Sequence, residues 1–280
     1  MCNIWQNDSS GEMSLKKWEQ VMDDEIFQEI KVLTLSGGEP VLTKEFEDKV
    51  KVIVAAMPNL TKLNLITNGF AQNLVLEKVK FLLNFCQQKG IKLSVSISLD
   101  GVGQTHEEIR RIPNAFEKTY GTIKKLQQLQ RDCDFQMGSG AVLMKQTIDK
   151  AVEFESWARK HDINLNFQIV GFHDTFVNNL ERKEELDFEK RQGMDQFLDF
   201  LKQKSKPRSL FDFNAYYWAD MHSFYKNGTD RTTPCPFSKD QFVIDCRGDV
   251  FYCLSEPAVG NVFKEESSVG QIYYDPKNLK

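Results

Sequence analysis

KLSVSISLDG, residues 92–101, decides how this chain folds. In an extended strand, successive side chains point to opposite faces. Leu93, Val95, Ile97 and Leu99 therefore share one face, and Ser94, Ser96, Ser98 and Asp100 share the other. Strands buried on both faces read as continuous apolar runs. This one does not, so one of its faces meets something polar. The same alternation recurs in INLNFQIVG, residues 163–171, with Asn164, Asn166 and Gln168 against Leu165, Phe167 and Ile169. In KLNLITNG, residues 62–69, Asn64 and Asn68 share a face, as do Thr34 and Ser36 in KVLTLSG, residues 31–37.

Helical segments separate these strands. Residues 14–30, 43–57, 74–90, 115–130 and 148–161 carry helical periodicity, and FQMGSGAVLM, residues 135–144, supplies a further strand. Ser14 and Thr43 are expected N-caps, and Gly90 an expected helix end. About five β-α units with short links argue for a parallel sheet covered by helices on its apolar face. A closed barrel fills its interior with branched apolar side chains. An interior of short neutral hydrogen-bonders points instead to a cavity for water or a polar ligand. The competing arrangement is an antiparallel sheet with one face in solvent.

The composition narrows the function classes. The 280 residues are 41% hydrophobic and 27% charged, with a net charge of −4. That is enough chain for a sizeable core. The charges are mixed and no basic block stands out, which argues against nucleic acid. No apolar run reaches the roughly 18 residues of a membrane span. Nor do the first 20 residues contain an apolar signal core, so a cytoplasmic protein is expected. The 6 cysteines are too few for a disulfide scaffold at this length. In a reducing compartment, clustered cysteines are more often metal ligands or catalytic groups. Cys86 lies in an apolar helical stretch and reads as core. Cys133 has no neighbour in sequence, Cys2 stands alone, and Cys235, Cys246 and Cys253 fall close together. Residues from about 174 to 205 read as charged and helical, and residues 211–228 as an aromatic-rich helix. After Gly228 two short strands, QFVID and DVFYC, flank a turn at residues 246–248.

LSGGEP, residues 35–40, ends a strand with two glycines and an acid. Lacking Cβ atoms, Gly37 and Gly38 let a ligand approach main-chain carbonyls. Carbonyls accept from ammonium groups, whereas a phosphate cradle needs N–H groups at a helix start. Glu39 adds negative charge. SGGEP, then ITNG, then SISLDG followed by His106 and Arg110, resembles the radical S-adenosylmethionine superfamily, in particular members with a C-terminal SPASM or twitch extension. MCNIW resembles the end of that family's C-x3-C-x2-C motif, with Cys2 as third ligand of a [4Fe–4S] cluster. The other two cysteines, and a first strand, would then lie upstream. Cys235, then Gly248, then Cys253 fits the opening C-x9–15-G-x4-C of the extension, and residues 260–275 resemble the family's next segment. Zinc and plain buried thiols are the alternatives there. Both ends would stop inside a cysteine motif, as in a fragment of a longer enzyme.

The resemblance implies a partial (β/α)6 barrel lacking its first strand over residues 1–205, and an incomplete extension with a small β-hairpin cluster module over 206–280. It implies S-adenosylmethionine at Gly37, Gly38, Glu39, Asn68, Ser96, Ser98, Asp100 and Arg110, and iron–sulfur ligation at Cys2, Cys235 and Cys253, with an auxiliary cluster at the latter pair. Glu39 and the glycine carbonyls would take the methionine ammonium, and Arg110 its carboxylate. Ser96 or Ser98 and Asp100 would reach toward the ribose or the carboxylate. Gly138 and Gly140 would leave room for adenine. Arg111 competes with Arg110, Asn68 reads equally as a turn residue, and His106 equally as structural. The activity implied is reductive cleavage to a 5′-deoxyadenosyl radical and hydrogen abstraction from a peptide or protein side chain, with flavodoxin or ferredoxin as reductant. Two other readings stand: a cluster-free pseudoenzyme that binds a peptide or partner, and an unrelated βα-barrel lyase or aldolase.

Overall fold

The computed structural model describes residues 3–4, 11–173, 178–187, 194–207, 212–230, 232, 237 and 240–278. Five strands form the main sheet: β1 (Val32–Leu35), β2 (Lys62–Thr67), β3 (Lys92–Ser98), β4 (Gln136–Leu143) and β5 (Leu165–Ile169). They lie in the order β1-β2-β3-β4-β5, and every neighbouring pair is parallel. The antiparallel alternative is thereby excluded. Helix α1 (Leu15–Met22) precedes the sheet, and α2 (Phe46–Ala55), α3 (Gln72–Lys89), α4 (Gln104–Arg110), α5 (Ala115–Gln130) and α6 (Ala151–Lys160) connect its strands. Beyond β5 come α7 (Lys183–Leu186), α8 (Met194–Lys204) and α9 (Phe213–Asn227).

The register explains the alternation. Leu33, Leu63 and Leu93 fall in one row, and Leu35, Leu65 and Val95 in the next but one. Leu63, Leu65, Val95, Ile97 and Leu99 are completely buried, as are Val75, Val79 and Leu82 of α3 and Ile123 and Leu126 of α5. Each such side chain contributes roughly 1.5–3 kcal/mol through the water it leaves. The opposite face carries Thr34, Asn64, Ser94 and Gln136 in one row and Ser98, Gly140 and Asn166 in another. These residues are half-buried or exposed. The face that the alternation marks as polar is the less buried face of the sheet.

Two local expectations change. The helix expected over 14–30 starts at the Ser14 cap but ends at Met22. Asp24 then caps a 3-10 turn over Glu25–Glu29, its Oδ1 accepting from the Ile26 N–H at 3.0 Å. An aspartate's short carboxylate competes with the helix for nearby N–H groups, which favours a new cap over continuation. Thr43 is not the cap of α2. Pro40 starts a 3-10 turn over Pro40–Leu42 that Thr43 closes, and α2 begins after Glu45 in a left-handed conformation (φ 56°). Gly90 ends α3 with φ 68°, as expected. Cys86 is core, and burial pushes its thiol up to about 11.

The C-terminal residues form a second, small antiparallel sheet: β6 (Val243–Ile244), β7 (Asp249–Phe251) and β8 (Gly260–Asn261), followed by α10 (Val269–Tyr273). The expected hairpin thus gains a third strand. Gly248 sits in its turn at φ 86°, where a Cβ would lie 2.8 Å from both Phe263 and Val262. The unit docks beside α1 and the turn after it. Met13 N–H donates to the Cys246 carbonyl at 2.7 Å, Gly270 N–H to Asp24 Oδ2 at 2.6 Å, and Lys17 Nζ lies 4.7 Å from the Phe263 ring centre. Among the described residues no helix is long and apolar enough to cross a membrane.

Candidate functional site

The C-terminal ends of β1, β2 and β3 converge on a cluster of polar groups. After β1, Gly37 and Gly38 are exposed, and a Cβ built on either would meet nothing within 4 Å. Gly37 holds φ 131°. The main chain here is open to a ligand's approach. Glu39 next to it is half-buried, with Oε2 accepting from the Asn68 N–H at 2.7 Å and Oε1 from Val41 N–H at 3.5 Å. Burial pushes its carboxyl above the ordinary range, against hydrogen bonds from Asn68 and Val41 and the positive charge of Arg110.

After β2, Asn68 closes the turn that its sequence context suggests and also holds Glu39. Its Oδ1 accepts from Phe70 N–H at 2.8 Å, closing the turn, while its own N–H holds Glu39. Its carbonyl accepts from the Thr119 hydroxyl at 2.9 Å, and the Gly69 carbonyl accepts from Thr122 at 2.6 Å. Helix α5 thereby satisfies carbonyls that the sheet ladder no longer reaches.

After β3, Asp100 is 2% exposed. Its Oδ1 accepts from the Val142 N–H of β4 at 3.0 Å. Its Oδ2 lies 2.7 Å from Arg110 Nε, close enough for an ion pair but out of line for a hydrogen bond. Arg110 is the last residue of α4, whose short turn folds back over the strand end. Gly101 permits this, since a Cβ there would lie 2.7 Å from Thr105 Cγ2. The two arginines differ in their partners. Arg110 faces the strand-end carboxylate, whereas Arg111 Nη2 donates to Asn3 Oδ1 at 2.6 Å, and Asn3 Nδ2 donates to the Asn178 carbonyl at 3.0 Å. Asn3, directly after Cys2, is 4% exposed.

Ser96 and Ser98 lie half-buried on the open face of β3, paired with Gly138 and Gly140 of β4. A Cβ on Gly140 would sit 3.8 Å from Ser96 Oγ, and one on Gly138 3.1 Å from the Asn164 carbonyl. The glycines lower the floor of the sheet beside the serines. Cys2 and Cys235 lie outside the described residues. Cys253 is half-buried, with its Sγ accepting from Ser255 N–H at 3.4 Å, and Cys246 is exposed. Among the described residues no three His, Cys, Asp or Glu side chains gather as a metal site.

Sequence reasoning missed Thr119, Thr122, Val142 and Asn3. Nothing in their local pattern marks them, because each acts by reaching a different segment. Only the periodic position of Thr119 and Thr122 on the inner face of α5 hints at it.

Comparison with known proteins gives the family and the fold. Residues 1–158 match the model of the radical SAM superfamily. The sporulation killing factor maturation protein SkfB of Bacillus subtilis (strain 168) is 32% identical over 117 residues, 42% of this chain and 26% of SkfB. The match thus spans about a quarter of that relative. Among solved structures, hexahistidine-tagged anSMEcpe with bound AdoMet superposes with a TM-score of 0.63 at 18% identity, covering 99% of this chain and 77% of the other. Native anSMEcpe with bound AdoMet and a Cp18Cys peptide gives 0.61 at 16% identity, covering 95% and 73%. At that identity the likeness is one of fold, the α/β fold built on a parallel sheet. With more than half its length matched by the family model and its strand ends arranged as described, this chain belongs to the radical SAM superfamily.

Proposed function

We propose that the chain binds S-adenosylmethionine at the ends of β1–β3 and serves a radical enzyme that modifies a peptide. The observation that carries this is the placement of opposite charges at neighbouring strand ends: half-buried Glu39 after β1, held by the Asn68 N–H at 2.7 Å, and half-buried Arg110 over the end of β3, held 2.7 Å from the Asp100 carboxylate. A methionine moiety is a zwitterion. Its ammonium matches Glu39 and the open carbonyls of Gly37 and Gly38, and its carboxylate matches the Arg110 guanidinium. Asp100 is fully buried against Arg110 and acts through it, as the group that aims the guanidinium. Ser96 and Ser98, beside the glycine floor of β4, suit ribose hydroxyls and adenine. Cys2 is the residue of this chain that would help hold a [4Fe–4S] cluster, and the cluster would supply the electron for reductive cleavage of bound S-adenosylmethionine. Cys235 and Cys253 are the proposed ligands of an auxiliary cluster, and flavodoxin or ferredoxin the class of reductant.

A peptide substrate is supported by the neutral amide-rich open face, Asn64, Gln136, Asn166 and Gln168, whose donors and acceptors match a peptide backbone. It is supported also by the maturation role named for SkfB and the peptide bound in anSMEcpe. The test is anaerobic reconstitution with iron and sulfide, followed by assay for 5′-deoxyadenosine with reductant. Formation that depends on S-adenosylmethionine and is lost in Arg110→Ala supports the reading. An iron-loaded protein that forms none overturns it, and a protein that takes up no iron favours the cluster-free binding protein instead.

A further inference from the structure

His106 is 0% exposed, yet none of the roles above uses it. Its surroundings fix where its proton sits. Leu99 N–H makes the last ladder bond of the β3 end, to the Gly140 carbonyl at 2.8 Å. The next N–H, that of Asp100, is buried and donates to His106 Nδ1 at 3.1 Å. A backbone N–H can only donate, so Nδ1 is the acceptor and Nε2 carries the hydrogen. On the other edge of the ring, Nε2 lies 3.4 Å from Thr119 Oγ1. The Thr119 hydroxyl already donates its hydrogen to the Asn68 carbonyl at 2.9 Å, so it accepts from Nε2–H. Every hydrogen in the chain Asp100–His106–Thr119–Asn68 is thereby assigned, with none left over. Asn68 N–H extends it to Glu39. The edge of Phe70 packs 6.4 Å from the imidazole centre, and the charged groups facing the ring are Asp100 and Arg110.

We propose that His106 is a positioning residue: as the neutral Nε2–H tautomer it ties the end of β2 to the end of β3, and so sets the separation of Glu39 from Arg110. This rests on the proposed S-adenosylmethionine site. A zwitterion spans a fixed distance, and two charged partners on separate loops hold it well only if those loops are held to each other. The parallel ladder ends before both loops, so the side-chain relay replaces it.

The test combines two readouts. In the ligand-free protein, long-range proton–nitrogen spectra of the His106 ring should show the neutral Nε2–H form between about pH 6 and 8. Thr119→Val should shift the amide signals of Asn68 and Asp100 together, while Thr119→Ser, which keeps the hydroxyl, should restore both. In reconstituted protein, Thr119→Val should weaken S-adenosylmethionine binding roughly tenfold, the loss of one to two hydrogen bonds in a network. Thr119→Ser should recover it. Asn261→Ala, which removes a buried hydrogen-bonding side chain from the C-terminal sheet, should lower stability without that loss of affinity. A charged or Nδ1–H ring, shifts confined to Asn68, or unchanged affinity in Thr119→Val each overturns the proposal. A wild-type protein that loads iron but binds no S-adenosylmethionine overturns the proposed function instead, and the two spectroscopic arms then still decide whether the relay exists.

Discussion

The strand-end cluster and the C-terminal sheet differ in what holds their functional groups. At the strand ends, Glu39, Asn68, Asp100 and His106 are each fixed by hydrogen bonds from other segments of the chain. In the C-terminal unit, Cys246 is exposed, and the described partner of the Cys253 thiol is the Ser255 N–H at 3.4 Å, two residues away. The backbone there is held by a turn, three short strands and docking onto α1. One region thus orients its chemistry through its own polar network. The other orients its backbone and leaves its thiols lightly held. Preorganisation is therefore a property of the first region, and mutations there should cost far more than in the second.

The largest expected effect is at Asp100. Its replacement by alanine leaves the Arg110 guanidinium without its buried partner, and should cost about 3–5 kcal/mol in urea unfolding. A cost below about 1 kcal/mol would mean that the ion pair is as weak as one on the surface.

His106 comes next, through pH. Its pKa is lowered to about 4, first by burial and further by Arg110, with Asp100 opposing. The unfolded chain, near 6.5, binds the extra proton first. Stability is therefore complete above about pH 6.5 and is lost as pH falls toward 4, by about 3 kcal/mol in all. Glu39, whose carboxyl is raised by burial, acts in the opposite sense at the acid end. The difference between wild type and His106→Asn across this window isolates the histidine. Parallel curves for the two proteins would show that His106 is not kept neutral by the fold.

Gly248→Ala probes the other region. At φ 86°, with Phe263 and Val262 2.8 Å from the new methyl, it should cost about 1–3 kcal/mol, read as faster hydrogen exchange in β6–β8. Exchange at the ends of β1–β3 should not change. A change there would mean that the two regions are one cooperative unit.

The smallest effect belongs to Cys246→Ser, within about 0.5 kcal/mol for an exposed side chain. Partial desolvation and the carboxylates of Asp245 and Glu12 push its thiol up, which disfavours the thiolate that binds metal. Iron content after reconstitution should be unchanged. A fall would make Cys246 a ligand and erase the contrast between the regions.

All five strands of the main sheet were legible, because alternation along a strand is a local record of which face is buried. LSGGEP and ITNG were legible as strand ends for the same reason. The division of labour at the site was not. Asp100 and Arg110 lie ten positions apart in sequence, and nothing in that spacing says that the carboxylate meets the guanidinium. Arg111 looks equivalent to Arg110 until the left-handed turn at Arg111 (φ 57°) sends it to Asn3. Thr43 looks like a cap because the pattern of an N-cap is short, and Pro40 pre-empts it with a 3-10 turn.

By itself the sequence determined the parallel α/β sheet, its apolar and polar faces, and the residues that stand at its C-terminal edge. These come from periodicity, which each segment carries alone. The tertiary structure decided which of those residues touch. The hydrogen-bond relay from Glu39 through Asn68, Thr119 and His106 to Asp100 joins three loops and a helix. Its members are chosen by what each segment leaves unsatisfied when the others arrive, and that is a property of the assembled chain.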